Sequence, residues 1–255
     1  DTHILTIVGL MVLALILMAI LQPDNYFTLK NAKSMIFQFP EYGVLALGMM
    51  ACMIAGGIDL SLVGIMNLSG VLAALIVKNM VLIEGGEVAN PAMVVPAIVL
   101  ACVVAVVVGA ACGAFNGFII GYFGLPAMLV TLCGLQLYTG LAYGITGGPA
   151  INGMAGIPYV LFIFIAVVAV VVFIMKCTVF GHEIYFLGSN AQAAMYSGIN
   201  TLKVTIMTYM FSGILGGISG ILITSHLNSA KSSNGSTYTL LSLLIVVLGG
   251  VHPDG

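Results

Sequence analysis

Charge is nearly absent from this sequence. Only 5% of its 255 residues are charged, against roughly 25% in an ordinary soluble domain, and arginine does not occur at all. Six lysines and eight carboxylates cannot cover the surface of a soluble protein in which 61% of the residues are hydrophobic. This composition excludes a cytosolic enzyme, a nucleic-acid binder with a basic face and a disordered chain. Part of the protein surface must therefore face membrane lipid instead of water.

Signatures of nucleotide binding are also missing. The sequence contains no Walker A motif, phosphate loop or dinucleotide fingerprint, and without arginine it lacks the side chain that clamps phosphate in two places. We expect the chain to bind no nucleotide and no cofactor. The five cysteines form no CxxC pair and lie in or at the end of apolar runs. They are therefore interpreted as small buried residues rather than as a metal site or disulfides.

Long apolar runs separate the few charges, and a spanning helix needs about 20 apolar residues. The runs predict an all-α polytopic transmembrane helix bundle with seven spans and the start of an eighth. They cover residues 4–21, 42–58, 62–77, 92–122, 125–145, 159–175, 204–225 and the segment from 238 onward. The first is too long for the apolar core of a signal peptide. The fourth is too long for one straight span, so we expect it to break or to leave the membrane near Gly121.

Glycine is abundant and regularly spaced. Four-residue spacing places small residues on one helix face, where two backbones can approach closely. The glycines with this spacing are Gly109, Gly113, Gly117 and Gly121 in one run, and Gly213 and Gly217 in a later one. We interpret them as packing positions within the bundle. A seam between two copies of the chain is the alternative.

Polar residues within the apolar runs are neutral, whereas proton- and sodium-coupled carriers usually need ionisable groups there. A path lined by amides and hydroxyls suits an uncharged, hydroxyl-rich solute, although such side chains also bond to their own helix backbone. The candidates for a path are Asn67, Asn116, Thr131 and Tyr138. His226 and Lys231, in a polar segment near the end, are predicted to face solvent.

The sequence GGIDLS at 56–61 interrupts two apolar runs. Two glycines followed by an acid and a serine read as the end of one helix and the start of the next. Asp59 would then cap the second helix. Alternatively, Gly57, Asp59 and Ser61 form the turn of a broken helix beside a solute pathway.

The segment 177–203 is a long polar interval late in the chain. Residues 190–196 have helix-forming composition, Ser197 and Gly198 would end that helix, and Asn200 can cap the next span. Ala193 and Ala194 are small, so a partner groove could admit the helix closely. A short surface helix of this kind is a suitable docking element for a soluble protein.

Four stretches together resemble the permease subunits of bacterial ribose-type sugar ABC importers. They are FTLKNAKSM after the first span, GGIDLS, GSNAQAAMYSGIN and LLSLLIVVLGGVHPDG. The family includes permeases for pentoses, hexoses, autoinducer-2 and, in a related branch, nucleosides. The resemblance covers nearly the whole chain in order.

This resemblance implies a single permease domain over residues 1–255, with residues 177–203 as its cytoplasmic coupling loop. A complete member has about ten spans, so further spans are expected beyond the C-terminus. Two permeases would pair, as a homodimer or with a related chain, in the bacterial cytoplasmic (inner) membrane. Cytoplasmic ATPase subunits would dock on the loop, and an extracytoplasmic solute-binding protein would deliver the solute. The docking positions carried over are Asn190, Ala191, Ala193, Ala194, Ser197, Gly198, Ile199 and Asn200.

The expected function is that of a permease subunit of an ATP-driven importer of a neutral sugar, with no covalent chemistry of its own. A permease of the same class for nucleosides or autoinducer-2 is the first alternative. A self-sufficient channel or facilitator is the second. An intramembrane enzyme is disfavoured because the spans offer no paired base and nucleophile and no metal-ligand set.

Overall fold

A computed structural model describes residues 2–22, 26–81, 91–152 and 160–251. The described residues are mainly helical, with two short strands. In chain order the elements are α1 (Thr2–Leu21), α2 (Leu29–Ile54), α3 (Leu62–Val81), a 3₁₀ turn (Pro91–Met93), α4 (Val94–Phe123), α5 (Ala127–Thr146), β1 (Ile151–Asn152), α6 (Val160–Cys177), α7 (Val179–Ser189), α8 (Ala191–Tyr196), α9 (Thr201–Leu227), β2 (Ser229–Ala230) and α10 (Tyr238–Leu248).

The chain forms two compact units, residues 1–39 and residues 40–255. In the first unit, α1 is apolar from Ile7 to its end at Leu21, and the Asn31 side-chain amide donates to the Tyr26 carbonyl at 2.9 Å. The second unit holds the buried core, whose centre includes Leu45, Met49 and Met66.

The prediction of an all-α polytopic bundle is confirmed. Among the described residues, six helices are long and apolar enough to cross a membrane. They are Lys33–Ile54, Leu62–Val81, Val94–Phe123, Ala127–Thr146, Val160–Cys177 and Thr201–Leu227. The first and last predicted runs coincide with two shorter apolar helices, Leu5–Leu21 and Tyr238–Leu248.

Helix α4 shows no break at Gly121. It runs unbroken for 30 residues and ends at Gly124, whose φ of 64° and ψ of 27° are left-handed. At about 1.5 Å per residue the helix is about 45 Å long, which exceeds the roughly 30 Å hydrocarbon core. The sequence predicts either a break in this helix or an extension beyond the membrane. Helix α4 shows the extension.

The regularly spaced glycines bring α4 and α9 together within the chain. A side chain at Gly113 would run into the Tyr209 carbonyl, and one at Gly109 would run into the Gly213 carbonyl. Gly217 lies in the same way against Ala105, and Gly117 lies against Ile206. At Gly121 the neighbour is the Leu202 side chain, at 2.8 Å from an added Cβ. The glycines therefore pack α4 against α9 within one chain. The same face of α4 is then no longer available for contact with a second copy.

The polar segment that follows α9 contains a short strand, β2, which pairs antiparallel with β1 so that Ile151 lies opposite Ala230. All five cysteines are free. The prediction that they are buried holds for Cys52 but is wrong for Cys133 and Cys177, which are exposed on their helices.

Candidate functional site

A sharp break separates α2 from α3. The backbone N–H of Gly57 donates to the Cys52 carbonyl at 2.9 Å, and that of Gly56 donates to the Met53 carbonyl at 3.0 Å. Gly56 has a φ of 83°, so this pair of bonds is a Schellman motif with glycine in the left-handed position. Helix α3 then begins at Leu62.

Asp59 is fully buried in this break and both of its carboxylate oxygens are occupied. Oδ1 accepts from the Ser61 backbone N–H at 3.0 Å and from the Ser61 hydroxyl at 2.6 Å, while Oδ2 accepts from the Ser212 hydroxyl at 2.8 Å. The carboxylate therefore orders the turn before α3, three residues ahead of the first helical residue, Leu62. It also joins that turn to α9.

The bonds continue from the turn into α4 and α5. The Asn116 amide donates to the Ser61 hydroxyl at 2.8 Å, and the Tyr138 hydroxyl donates to Asn116 Oδ1 and to the Cys112 carbonyl, both at 2.9 Å. We call Asp59, Ser61, Asn116, Tyr138 and Ser212 the buried polar network. Its members come from four separate parts of the sequence, and the fold brings them within hydrogen-bonding distance of one another.

The network lies near the middle of the bundle. Ser212 is eleven residues beyond the start of α9 at Thr201, or about 16 Å along a helix about 40 Å long. The Thr131 hydroxyl donates to the Ile58 carbonyl at 3.0 Å and so holds α5 against the same break. Of the predicted path residues, Asn116, Thr131 and Tyr138 therefore come together around Asp59.

A cleft of about 400 Å³ between α4 and α5 reaches Asn116. Its lining is otherwise almost wholly apolar. The lining residues are Phe115, Asn116, Ile119, Leu125, Leu129, Val130, Cys133, Gly134 and Leu137. Gly134 makes room for the amide, because a Cβ there would lie 3.0 Å from Asn116 Oδ1.

Asn67 lies apart from the network. Its amide donates to the Ser232 carbonyl at 2.9 Å, so it ties α3 to the segment that precedes α10. Asn67 Oδ1 is buried without a hydrogen-bond partner among the described residues. The structure thus gives Asn67 a place between α3 and that segment rather than beside Asp59.

The segment 177–203 is helical over most of its length. Helix α8 lies where the composition predicts a helix, whereas α7 was not predicted, although the Thr178 hydroxyl accepts from the Gly181 N–H at 3.2 Å as a helix cap would. Asn190 caps α8 by accepting from the Ala193 N–H at 2.9 Å, and Asn200 caps α9 by accepting from the Lys203 N–H at 3.0 Å. We call α7 and α8 together the docking segment.

Gly198 has a φ of 84° and follows the end of α8. Its N–H donates to the Met195 carbonyl at 3.1 Å, and the Ile199 N–H donates to the Ala194 carbonyl at 3.1 Å. The Ser197 hydroxyl closes the turn by donating to the Ala193 carbonyl at 2.9 Å. A left-handed residue at this place favours glycine, because a side chain would be strained there.

The two alanines of α8 point in different directions. Ala193 is exposed, as is Ala191, but Ala194 is only 2% exposed and packs inward. The expectation that Ala194 would face a partner is therefore wrong, since its side chain already lies against this chain. Tyr196 at 85% and Met195 at 56% exposure present the large apolar groups of α8.

His226 does not face solvent as expected. Its side chain is 23% exposed, and Nδ1 lies 2.6 Å from Oε1 of the fully buried Glu41. The Tyr238 hydroxyl donates to Glu41 Oε2 at 3.2 Å. No sequence motif signals this pairing, because its members belong to three helices. Lys231, by contrast, is exposed.

No group of three histidine, cysteine or carboxylate side chains in the described ranges could hold a metal ion. The site consists of hydroxyls, amides and one fully bonded carboxylate. Such an arrangement can bind and release a polar solute or order a helix break. It offers no activated nucleophile or paired acid and base.

Residues 31–255 match the family model of the branched-chain amino acid transport system / permease component. The chain belongs to this family of membrane transport permeases. It is therefore a multi-pass protein of the cytoplasmic membrane and a transport subunit rather than an enzyme.

Curated relatives are sugar permeases. The chain is 30% identical to the ribose import permease of Haemophilus influenzae, over 96% of this chain and 76% of the relative. It is 31% identical to the ribose import permease of Bacillus subtilis, over 97% and 76%. It is 26% identical to the L-arabinose transport system permease of Escherichia coli, over 91% and 70%. No solved structure matches the chain.

Proposed function

We propose that this chain is the permease subunit of an ATP-driven, binding-protein-dependent importer of a neutral sugar. The observation that carries the proposal is the buried polar network at the α2–α3 break. It places hydroxyls and an amide at mid-bundle, which suit a hydroxyl-rich solute. The relatives that import ribose and arabinose support the same solute class.

The charges of the bundle favour an uncharged substrate. The Asp59 carboxylate already accepts three hydrogen bonds from Ser61 and Ser212. Lys78 and Lys176 lie in the last turns of their helices, and Lys203 lies in the first turn of α9. A phosphate or carboxylate at mid-bundle would therefore lack a nearby counter-charge, which is costly in a medium of low dielectric constant.

Energy for transport would come from partner chains. The exposed Tyr196 and Met195 give α8 a surface on which a cytoplasmic ATPase subunit can dock. The ATPase would move the docking segment when it binds ATP. A solute-binding protein outside the membrane and a second permease copy, identical or related, complete the proposed assembly.

Reconstitution tests this function directly. The permease, an ATPase and a sugar-binding protein encoded beside it would be placed in liposomes, and ATP-dependent uptake of radiolabelled ribose, arabinose and galactose would be measured. We expect uptake of a free sugar and none of ribose 5-phosphate. Preference for the phosphate ester would contradict the neutral-substrate argument. Sugar entry without ATP or partners would instead favour a facilitator.

The same assay separates the other solutes of this permease class. Nucleosides and autoinducer-2 are also neutral or weakly charged and rich in hydroxyls, so the polar network does not discriminate against them. Ribose uptake that stays unchanged in the presence of excess adenosine would support the sugar assignment. Selective uptake of the nucleoside would replace it.

A further inference from the structure

The end of α7 is packed directly onto the end of α2. A side chain added at Gly188 would run into the Ile54 carbonyl, the last residue of α2. Gly188 Cα also lies 3.9 Å from the Cβ position of Gly56, within the break. Backbone touches backbone at this point, so a shift of α7 cannot be absorbed by a rotating side chain.

Tyr209 supports the break from the other side. Its ring is 2% exposed, and its hydroxyl lies against Gly57, where an added side chain would collide with it. The backbone of Tyr209 is fixed in place, because its carbonyl packs against Gly113 of α4. The hydroxyl is buried without a hydrogen-bond partner among the described residues.

A cavity of about 120 Å³ lies beside the contact between Tyr209 and Gly57. Its lining includes Ala55, Gly56 and Gly57 of the break, Leu187 and Ala191 of the docking segment, and Tyr209 of α9. The space gives residues 55–57 room to move while the glycine contacts hold α9 against α4.

We propose that Gly188 and Tyr209 form a joint through which the docking segment sets the position of the α2–α3 break. Gly188 pushes on Ile54, and the Tyr209 hydroxyl bonds a carbonyl of residues 55–57 once the break has moved into the cavity. The inference rests on the proposed function, since it names how the docking segment reaches the buried polar network. Tyr209 is a positioning residue and does not contact the solute.

The hydroxyl is what makes the joint testable. A buried hydroxyl without a partner is unfavourable, and the arrangement that satisfies it gains a stability corresponding to about tenfold in an equilibrium. Tyr209→Phe removes this gain and keeps the ring. The structure described here loses no hydrogen bond in that variant, so its thermal midpoint should not fall.

The experiment uses the reconstituted permease–ATPase complex with its binding protein. For Tyr209→Phe we expect about tenfold slower sugar uptake and a reduced ratio of binding-protein-stimulated to basal ATPase activity. Tyr143→Phe is the matched control, because Tyr143 lies on α5, outside the docking segment, and is exposed. A lowered thermal midpoint in Tyr209→Phe, with the coupling ratio unchanged, would show a packing role only and overturn the proposal.

Gly188→Ala tests the second contact. It should displace α7 from Ile54 and lower the stimulated-to-basal ratio, whereas Gly140→Ala adds the same methyl group where no atom lies within 4 Å. Wild-type uptake together with normal coupling in either Tyr209→Phe or Gly188→Ala would contradict the joint. Failure of the wild-type complex to import any sugar would instead contradict the proposed function, so the two failures are distinguishable.

Discussion

His226 Nδ1 lies 2.6 Å from Glu41 Oε1, although 185 positions separate the two residues. Glu41 follows Pro40 within α2, and His226 lies at the end of α9. Tyr238 at the start of α10 donates to the second carboxylate oxygen and packs on Tyr42, with ring centroids 4.3 Å apart. Three helices are thus joined at one fully buried carboxyl group.

Removing the histidine should destabilise the bundle strongly. His226→Leu leaves the Glu41 carboxyl buried without its closest partner, and breaking such a pair typically costs about 3–5 kcal/mol. Because His226 is partly exposed, we expect a loss at the lower end of this range, about 3 kcal/mol in the free energy of unfolding. Equilibrium unfolding of the detergent-solubilised protein measures this loss.

Glu41→Gln is the milder companion variant. The amide keeps groups that can bond to His226 and Tyr238, so we expect a loss of about 1 kcal/mol. The double variant Glu41→Gln with His226→Leu should be more stable than the sum of the single changes implies. Strict additivity would mean that the two side chains do not interact in the solubilised protein.

The glycine contacts make a second prediction. Gly113→Leu should prevent α4 from approaching α9, because the added side chain meets the Tyr209 carbonyl and not a flexible side chain. The amount of folded protein in the membrane should fall several-fold, measured by fluorescence-detected size exclusion of a tagged chain. Gly140→Leu is the control at an open position and should keep the normal amount. Equal amounts of both would show that α4 and α9 are not in contact.

Local sequence signals predicted local structure well. Uncharged runs located the helices, and GGIDLS marked the break because glycine and an acid with a serine satisfy free helix ends in any context. The same reasoning predicted that Gly198 ends α8, and there its φ is 84°. These features depend on a few neighbouring residues, which is why no knowledge of packing was needed.

Long-range relationships were not accessible in this way. The sequence shows that Glu41 and His226 are ionisable but carries no signal that they meet, so His226 was wrongly assigned to solvent. Ala194 was expected to face a partner because it is small. Which side of α8 packs inward depends on how α7 and α9 surround it, and a six-residue helix is too short for periodicity to decide.

A third prediction concerns docking of the ATPase on α8, at a residue that the sequence analysis does not name. Tyr196 is a large aromatic residue at 85% exposure on α8, the kind of anchor that dominates protein interfaces. Tyr196→Ala should weaken copurification of the ATPase at least tenfold, which corresponds to about 1.4 kcal/mol. Tyr143→Ala removes another exposed tyrosine, on α5, and should leave the complex intact. Retention of the ATPase by Tyr196→Ala would exclude α8 as the main contact.

The last prediction separates the charge of Asp59 from its hydrogen bonds. Asp59→Asn keeps an acceptor for Ser61, and its amide can donate to the Ser212 hydroxyl, which can also accept. Asp59→Ala loses all three bonds, so it should lower the free energy of unfolding by about 2 kcal/mol more than Asp59→Asn. Uptake of a neutral sugar should persist in the asparagine variant and fail in the alanine variant. If Asp59→Asn folds normally yet abolishes uptake, the negative charge itself takes part in transport. That result would indicate a cationic substrate, which contradicts the neutral-solute proposal, or a co-transported cation, which contradicts transport driven by ATP alone.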